Sequence, residues 1–204
     1  MAEKLDVRRE FDGYRARQGI FRTVTVPEMA YLAVDGRGDP NTSPAFTAAV
    51  ETLYPVAYAL KFALRDETGL DIVVPPLEGL WHAEDPAVFT TARDKAAWEW
   101  TLLIHTPYPV DADAVERAIA RAAAKRPPRI DALRWISLAE GRCVQTLHVG
   151  SFDDEGPVLE RMHREAIREQ GLRMTGVHHE IYLSDFRRVP AERRRTILRQ
   201  PVTG

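Results

Sequence analysis

The sequence contains a single cysteine, Cys143, which excludes an intramolecular disulfide and a cysteine-rich metal site and is natural for a reducing compartment. No window of about 18 apolar residues exists, so no membrane-spanning helix is expected. The opening MAEKLDVRREFDGYRARQG is charged and has no apolar core, so it does not read as a secretory signal. Charge of one sign is also missing. The 28 basic and 30 acidic residues leave a net charge of -2, without the basic stripe that nucleic-acid binding requires. A cytoplasmic protein with neither a nucleic-acid nor a membrane partner is the expectation. The chain of 204 residues fits one domain or two fused halves.

Residues 1–20 are polar and read as an irregular, loosely attached extension preceding a domain over 21–204. Met29 to Asp35 reads as a strand, followed by a Gly/Asp/Pro turn. DGRGDP (35–40) lacks the third glycine of a dinucleotide fingerprint and reads as that turn. Ser43-Pro44 starts a helix in which Phe46, Val50, Leu53, Ala57, Leu60 and Leu64 share one face. Pro55 should bend that helix and Gly69 should end it. Strands are expected over 71–83, interrupted by Pro75-Pro76, and over 97–105. A helix is expected over 113–125, with Asp113 and Glu116 as its capping box, and a short element around Leu133 to Ile136.

The last third repeats the pattern: a strand over 143–150, a helix with Leu159, Met162 and Ala166 on one face, a stop at Gly171, and strands over 176–185 and 196–202. Each half, about 26–105 and 143–202, reads βαββ. The fold class is therefore α+β: two βαββ units forming one antiparallel sheet, with helices on one face and a concave pocket on the other.

Alternation in GVHHEIYLSD puts Val177, His179, Ile181 and Leu183 on one face, available to pack under the helices. His178, Glu180, Tyr182 and Ser184 fall on the other, with a carboxylate between an imidazole and a phenol. That second face is either simply solvated or the floor of a site. Adjacent His178 and His179 point oppositely, and there is no HExxH helix, so no metal site is expected. Trp81, Trp98, Trp100 and Trp135 are the four tryptophans; Trp98 and Trp100 share a strand face, and Tyr54 and Tyr58 share a helix face. These aromatics are either core or the walls of a pocket for flat rings and cations. Cys143 has no activating base nearby in sequence, and Glu192 to Arg195 reads as solvated surface.

YLAVDGRGDP (31–40), PLEGLWHAED (76–85), WEWTLLIHTP (98–107), LHVGSFDDE (147–155), HHEIYLSD (178–185) and TILRQPV (196–202) together resemble the GyrI-like small-molecule-binding family, over roughly residues 21–202. The resemblance implies two βαββ units about a pseudo-twofold axis. It also implies a small hydrophobic, aromatic or cationic partner and no cofactor. Among stand-alone members are enzymes that hydrolyse the strained cyclopropane of DNA-alkylating natural products related to yatakemycin. By that resemblance Glu180 is the general base, with Tyr58 or Tyr182 stabilising the charge that develops on the substrate. Trp81 and Trp100 would sandwich the flat alkylating unit, with Trp98, Tyr54 and His178 completing the substrate site. His82 and Phe152 stand where the family pattern carries a tryptophan and a tyrosine. A non-catalytic ligand-sequestering module and a gyrase-interacting protein are the competing readings.

Overall fold

The computed structural model describes residues 4–82 and 95–204. A short helix α1 (Val7–Glu10) precedes strands β1 (Arg22–Val26) and β2 (Met29–Arg37). Helix α2 (Pro44–Thr68) leads to β3 (Leu77–His82) and β4 (Glu99–His105). Helix α3 (Ala112–Ala123), β5 (Arg134–Leu138) and β6 (Gly141–Val149) follow. A helical stretch comprises α4 (Gly156–Arg161), a π-turn (Met162–Ala166) and α5 (Ile167–Glu169). Strands β7 (Arg173–Met174), β8 (His178–Tyr182) and β9 (Arg195–Thr203) complete the chain.

The strands form one antiparallel sheet in the order β1-β6-β9-β8-β3-β4-β2-β5, with β7 pairing the far end of β9. The expected α+β class holds. In strand connectivity, β2-α2-β3-β4 and β6-α4-β8-β9 each place the third strand between the other two, and the halves meet where β3 pairs β8. Strand β1, which periodicity did not mark, extends the sheet beside β6, and the element near Leu133 is the opposite edge strand β5.

Several expected boundaries shift for local reasons. Of 71–83 only Leu77–His82 is strand, because Pro75 and Pro76 cannot donate to a ladder; position 83 lies outside the described residues. The cap of α3 is Asp111, whose carboxylate accepts from Ala114 N at 2.8 Å, not the expected Asp113/Glu116 box. Ser43 makes no side-chain cap on α2, and its hydroxyl turns to Arg37 O at 3.4 Å. The α2 helix runs unbroken through Pro55 and stops at Gly69, whose φ of +76° closes the last turn onto Arg65 O.

The two faces of the sheet are covered differently. Leu32, Val34, Leu77, Trp81, Trp100, Leu102 and Ile104 pack under α2 and α3. On the same side, Val144, Leu198 and Val202 pack under Met162 and Ile167. Burying side chains of this size contributes roughly 1.5–3 kcal/mol each. The opposite side holds Tyr31, Ala33, Leu80, Leu103, Ile181 and Ile197, together with Val7 and Tyr14 from the N-terminal segment.

That arrangement corrects two expectations. Residues 4–20 are not loosely attached: Val7 and Tyr14 are buried, and Leu5 bridges to Ile72. The faces of β8 are also reversed. Tyr182 lies with the α2 cluster, whereas Ile181 faces the N-terminal segment, so Glu180 and Tyr182 look toward the helices.

Candidate functional site: a carboxyl pair in an aromatic enclosure

At the junction of the two halves, Glu180 on β8 stands directly opposite Gly79 on β3. A side chain at position 79 would meet the Tyr182 hydroxyl at 3.0 Å and Trp81 Nε1 at 3.1 Å, so the missing Cβ is what lets Tyr182 and Trp81 close over the strand. Tyr182 donates its hydroxyl to Glu180 Oε2 at 2.8 Å, and His178 Nε2 lies 3.7 Å from Oε1. All three side chains share a face because they alternate along one strand.

Aromatic rings enclose this point. Phe46 from the first turn of α2 stacks on Trp81 at 6.4 Å and meets Phe186 at 6.3 Å. Phe152 and Phe186 meet Tyr182 edge-on at 5.4 and 6.2 Å. The chain leaves β6 at Gly150, whose φ of +150° suits glycine, and the following turn brings Phe152 to β8 and Glu155 beneath it.

Glu155 is the second acid of the site. Its carboxyl is buried beside Glu180 and Thr196. Burial, then the charge of Glu180, pushes its pKa well above the usual carboxylate range. Burial and the same glutamate also push the Tyr182 phenol well up, which keeps it a donor. His163, in the π-turn, meets His178 edge-on at 6.2 Å; burial, then His178, lowers its pKa to about 4. Five polar atoms here are buried and find no hydrogen-bond partner: Glu155 Oε1, Trp81 Nε1, His163 Nε2 and both ring nitrogens of His178. Trp81 Nε1 is near the Tyr182 hydroxyl but off hydrogen-bonding geometry.

The expected site residues thus divide. Glu180, Tyr182, His178 and Trp81 come together. Trp98 meets Trp81 edge-on at 5.6 Å, one layer further out. Trp100 cannot be a ligand wall: it is fully buried, its ring lies over Gly36, and its indole N–H donates to Gly38 O at 3.2 Å. Tyr58 is not beside Glu180. With Tyr54 it lines a separate open cleft of about 140 Å³, bounded also by Leu77, Asp185, Tyr182 and Phe186. That volume is below the roughly 300 Å³ of typical ligand sites. Tyr182 and Phe186 belong to both cleft and enclosure.

Phe186, Glu155 and Gly79 were not singled out in the sequence; Phe46 was read only as part of the apolar face of α2, and Phe152 only as standing where the family pattern carries a tyrosine. A glycine inside an apolar strand was the one available signal, since it marks close approach of another group. Among the described residues no group of histidine, cysteine, aspartate or glutamate side chains is arranged to hold a metal ion. No described helix is long and apolar enough to cross a membrane.

Across the sheet, a second polar cluster ties down the N-terminal segment. His179 contacts Glu78 Oε2 at 2.9 Å and Glu140 Oε1 at 3.0 Å. Arg199 reaches Glu140 at 2.7 Å, Gln145 at 3.0 Å and the Gly13 carbonyl at 2.6 Å, and Tyr14 donates to Glu78 at 2.5 Å. Burial opposes charge on both His179 and Glu140. The facing charges override it, holding His179 at about 9 and Glu140 at about 2. Two carboxylates facing a histidinium and a guanidinium make this cluster self-neutralising.

Comparison with known proteins agrees with this architecture. No curated protein matches the chain. A conserved, uncharacterised protein of Listeria innocua is 37% identical with a TM-score of 0.87, covering 98% of this chain and 100% of its own. A second L. innocua protein, described as a hydrolase, is 34% identical with a TM-score of 0.86 over the same shares. The EcmrR C-terminal domain, at 11% identity and a TM-score of 0.55 over 90% of this chain and 97% of its own, shares the fold. The model of the GyrI-like small molecule binding domain matches residues 21–202, and the chain belongs to that family.

Proposed function

We propose that the site binds a compact aromatic molecule and adds water across a strained, conjugated cyclopropane in it, a detoxification of DNA-alkylating compounds. The observation that carries the reading is Glu180, held by the Tyr182 hydroxyl at 2.8 Å in an aromatic enclosure floored by Gly79. The description of a 34% identical relative as a hydrolase supports it.

In this reading Glu180 takes a proton from a water as the water oxygen attacks the cyclopropane methylene. The methylene–ring bond breaks, and its electron pair moves through the conjugated system to the carbonyl oxygen. That oxygen takes a proton and becomes a phenol, so the net change is addition of one water. General-base assistance of this kind contributes about 10²–10⁴-fold. Tyr182 already donates to Glu180, which makes it an orienting group first. Tyr58 would serve as donor to the distant oxygen only for a substrate reaching into the outer cleft, where Tyr58 lies.

The test is incubation of the wild type and Glu180→Gln with a cyclopropane-bearing alkylating agent, read as the mass gain of one water. Turnover in the wild type and its loss in the variant is the expected result. Binding without mass gain in the wild type would make the domain a sequestering module, and full turnover in Glu180→Gln would remove the general base.

A further inference from the structure

A general base inside an aromatic enclosure must be returned to its charged form after every turnover, and the side chains around it decide where its proton goes. Tyr182 does not take it, because its hydroxyl already donates to Glu180 Oε2 and burial holds that phenol protonated. Two histidines stand on the other side of the carboxylate. His178 Nε2 lies 3.7 Å from Glu180 Oε1, and the His163 ring meets the His178 ring edge-on at 6.2 Å. We propose that His178 and His163 form a proton relay that carries the proton taken up by Glu180 from the enclosure to solvent. The inference rests on the hydrolase reading of the site.

The pair differs from the other buried histidines of the protein in how it is held. His179 is tied to Glu140 at 3.0 Å, His105 to the Ala30 carbonyl at 3.0 Å and His148 to the Ser151 carbonyl at 2.9 Å. A partner of that kind fixes which ring nitrogen carries the proton. By contrast, His178 Nδ1, His178 Nε2 and His163 Nε2 are all buried without a hydrogen-bond partner. Each such atom costs about 1–3 kcal/mol, so three in one place call for a reason other than stability. A ring left untied accepts a proton at one nitrogen and releases one from the other. His163 also spans the wall of the site, since its Nε2 is enclosed while the residue as a whole is only half-buried. It stands in the π-turn Met162–Ala166, a rare helical feature that recurs at functional sites.

The steps balance. Once the substrate bond has broken, Glu180 holds the proton of the attacking water as a carboxylic acid. Its O–H bond breaks as an N–H bond forms at His178 Nε2, and the 3.7 Å separation is of the kind that shortens in a working complex. His178 hands a proton to His163, and His163 releases one to water. Glu180 is again a carboxylate, and the phenol oxygen of the product takes its proton from solvent. His163 is a donor rather than a trap, because burial, then His178, lowers its pKa to about 4. Glu155, whose pKa burial raises well above the carboxylate range, keeps its own proton and does not compete.

The experiment compares steady-state and single-turnover hydrolysis of a cyclopropane-bearing alkylating agent by the full chain and by His163→Gln and His163→Ala, with and without added imidazole. His163 is the residue to change because it reaches Glu180 only through His178. In both variants kcat should fall by up to about 10²-fold, the lower end of acid–base assistance. The single-turnover rate should fall far less, because the substrate bond breaks before the proton has to leave. Imidazole should restore kcat in His163→Ala and leave the wild type unmoved. An unchanged kcat, a loss shared equally by the two rates, or a His163→Ala variant that imidazole does not rescue would each overturn the relay and leave Glu180 as the base. A wild type that adds no water to the agent even in a single turnover would instead remove the hydrolase reading, and the relay with it.

Discussion

A methyl group at position 79 would sit 3.0 Å from the Tyr182 hydroxyl and 3.1 Å from Trp81 Nε1. Gly79→Ala should therefore cost about 1–3 kcal/mol, as overpacking generally does, and should weaken binding of flat ligands by occupying the floor. Thermal unfolding and a ligand titration check the two effects separately; unchanged affinity would place the ligand elsewhere. Trp100 behaves oppositely. Because it is fully enclosed, Trp100→Ala should lower stability by about 3–5 kcal/mol and act on binding only through the fold. A large loss of affinity with an unchanged melting temperature would return Trp100 to the pocket wall. At this scale alternation in HHEIYLSD was sufficient to bring His178, Glu180 and Tyr182 together, since strand geometry fixes it. Glu155 was not legible, because it comes to Glu180 by a chain reversal at Gly150 that no periodicity encodes.

At the scale of elements, the N-terminal segment acts as a strap across the sheet face opposite the helices. It supplies the Gly13 carbonyl to Arg199, the Arg15 carbonyl to Gln145 and the Tyr14 hydroxyl to Glu78. Tyr14→Phe leaves one oxygen of a fully buried glutamate without its donor, at a cost of about 1–3 kcal/mol. Removal of residues 1–20 strips all three partners at once and exposes the apolar face. A truncated chain should melt far lower or lose its cooperative transition in calorimetry, and one that melts like the full chain would refute the strap. The strands and long helices followed from periodicity and from Gly and Pro punctuation. The covering of the faces did not, because alternation shows which residues share a face and not what lies upon it. Val7, Phe11 and Tyr14 are spaced four and three apart, a one-sided pattern concealed by the surrounding charge.

At the scale of the whole molecule, acids and histidines buried on both faces set how stability follows pH. Glu140, held at about 2 against an ordinary 4.5, contributes stability that is present above 4.5 and lost as pH falls toward 2. His163, lowered from 6.5 to about 4, binds its proton more readily in the unfolded chain, so folding weakens as pH falls through that window. His179, raised from 6.5 to about 9, contributes fully below 6.5, and its contribution is lost as pH rises through 9. Glu155, raised well above 4.5, also weakens folding as pH rises, because the unfolded chain has already released a proton that the folded state retains. As pH rises from 4.5, His163 and Glu155 act in opposite directions, so the stability gained through His163 is offset by Glu155. Above 6.5 the loss of the His179 contribution should give an alkaline decline of up to about 1.4 kcal/mol per pH unit. Denaturant unfolding across this range checks the shape. Glu155→Gln removes one side of the balance: its stability should rise more steeply than that of the wild type as pH increases from 4.5 toward 6.5. A variant whose profile parallels the wild type would mean that Glu155 exchanges no proton on folding.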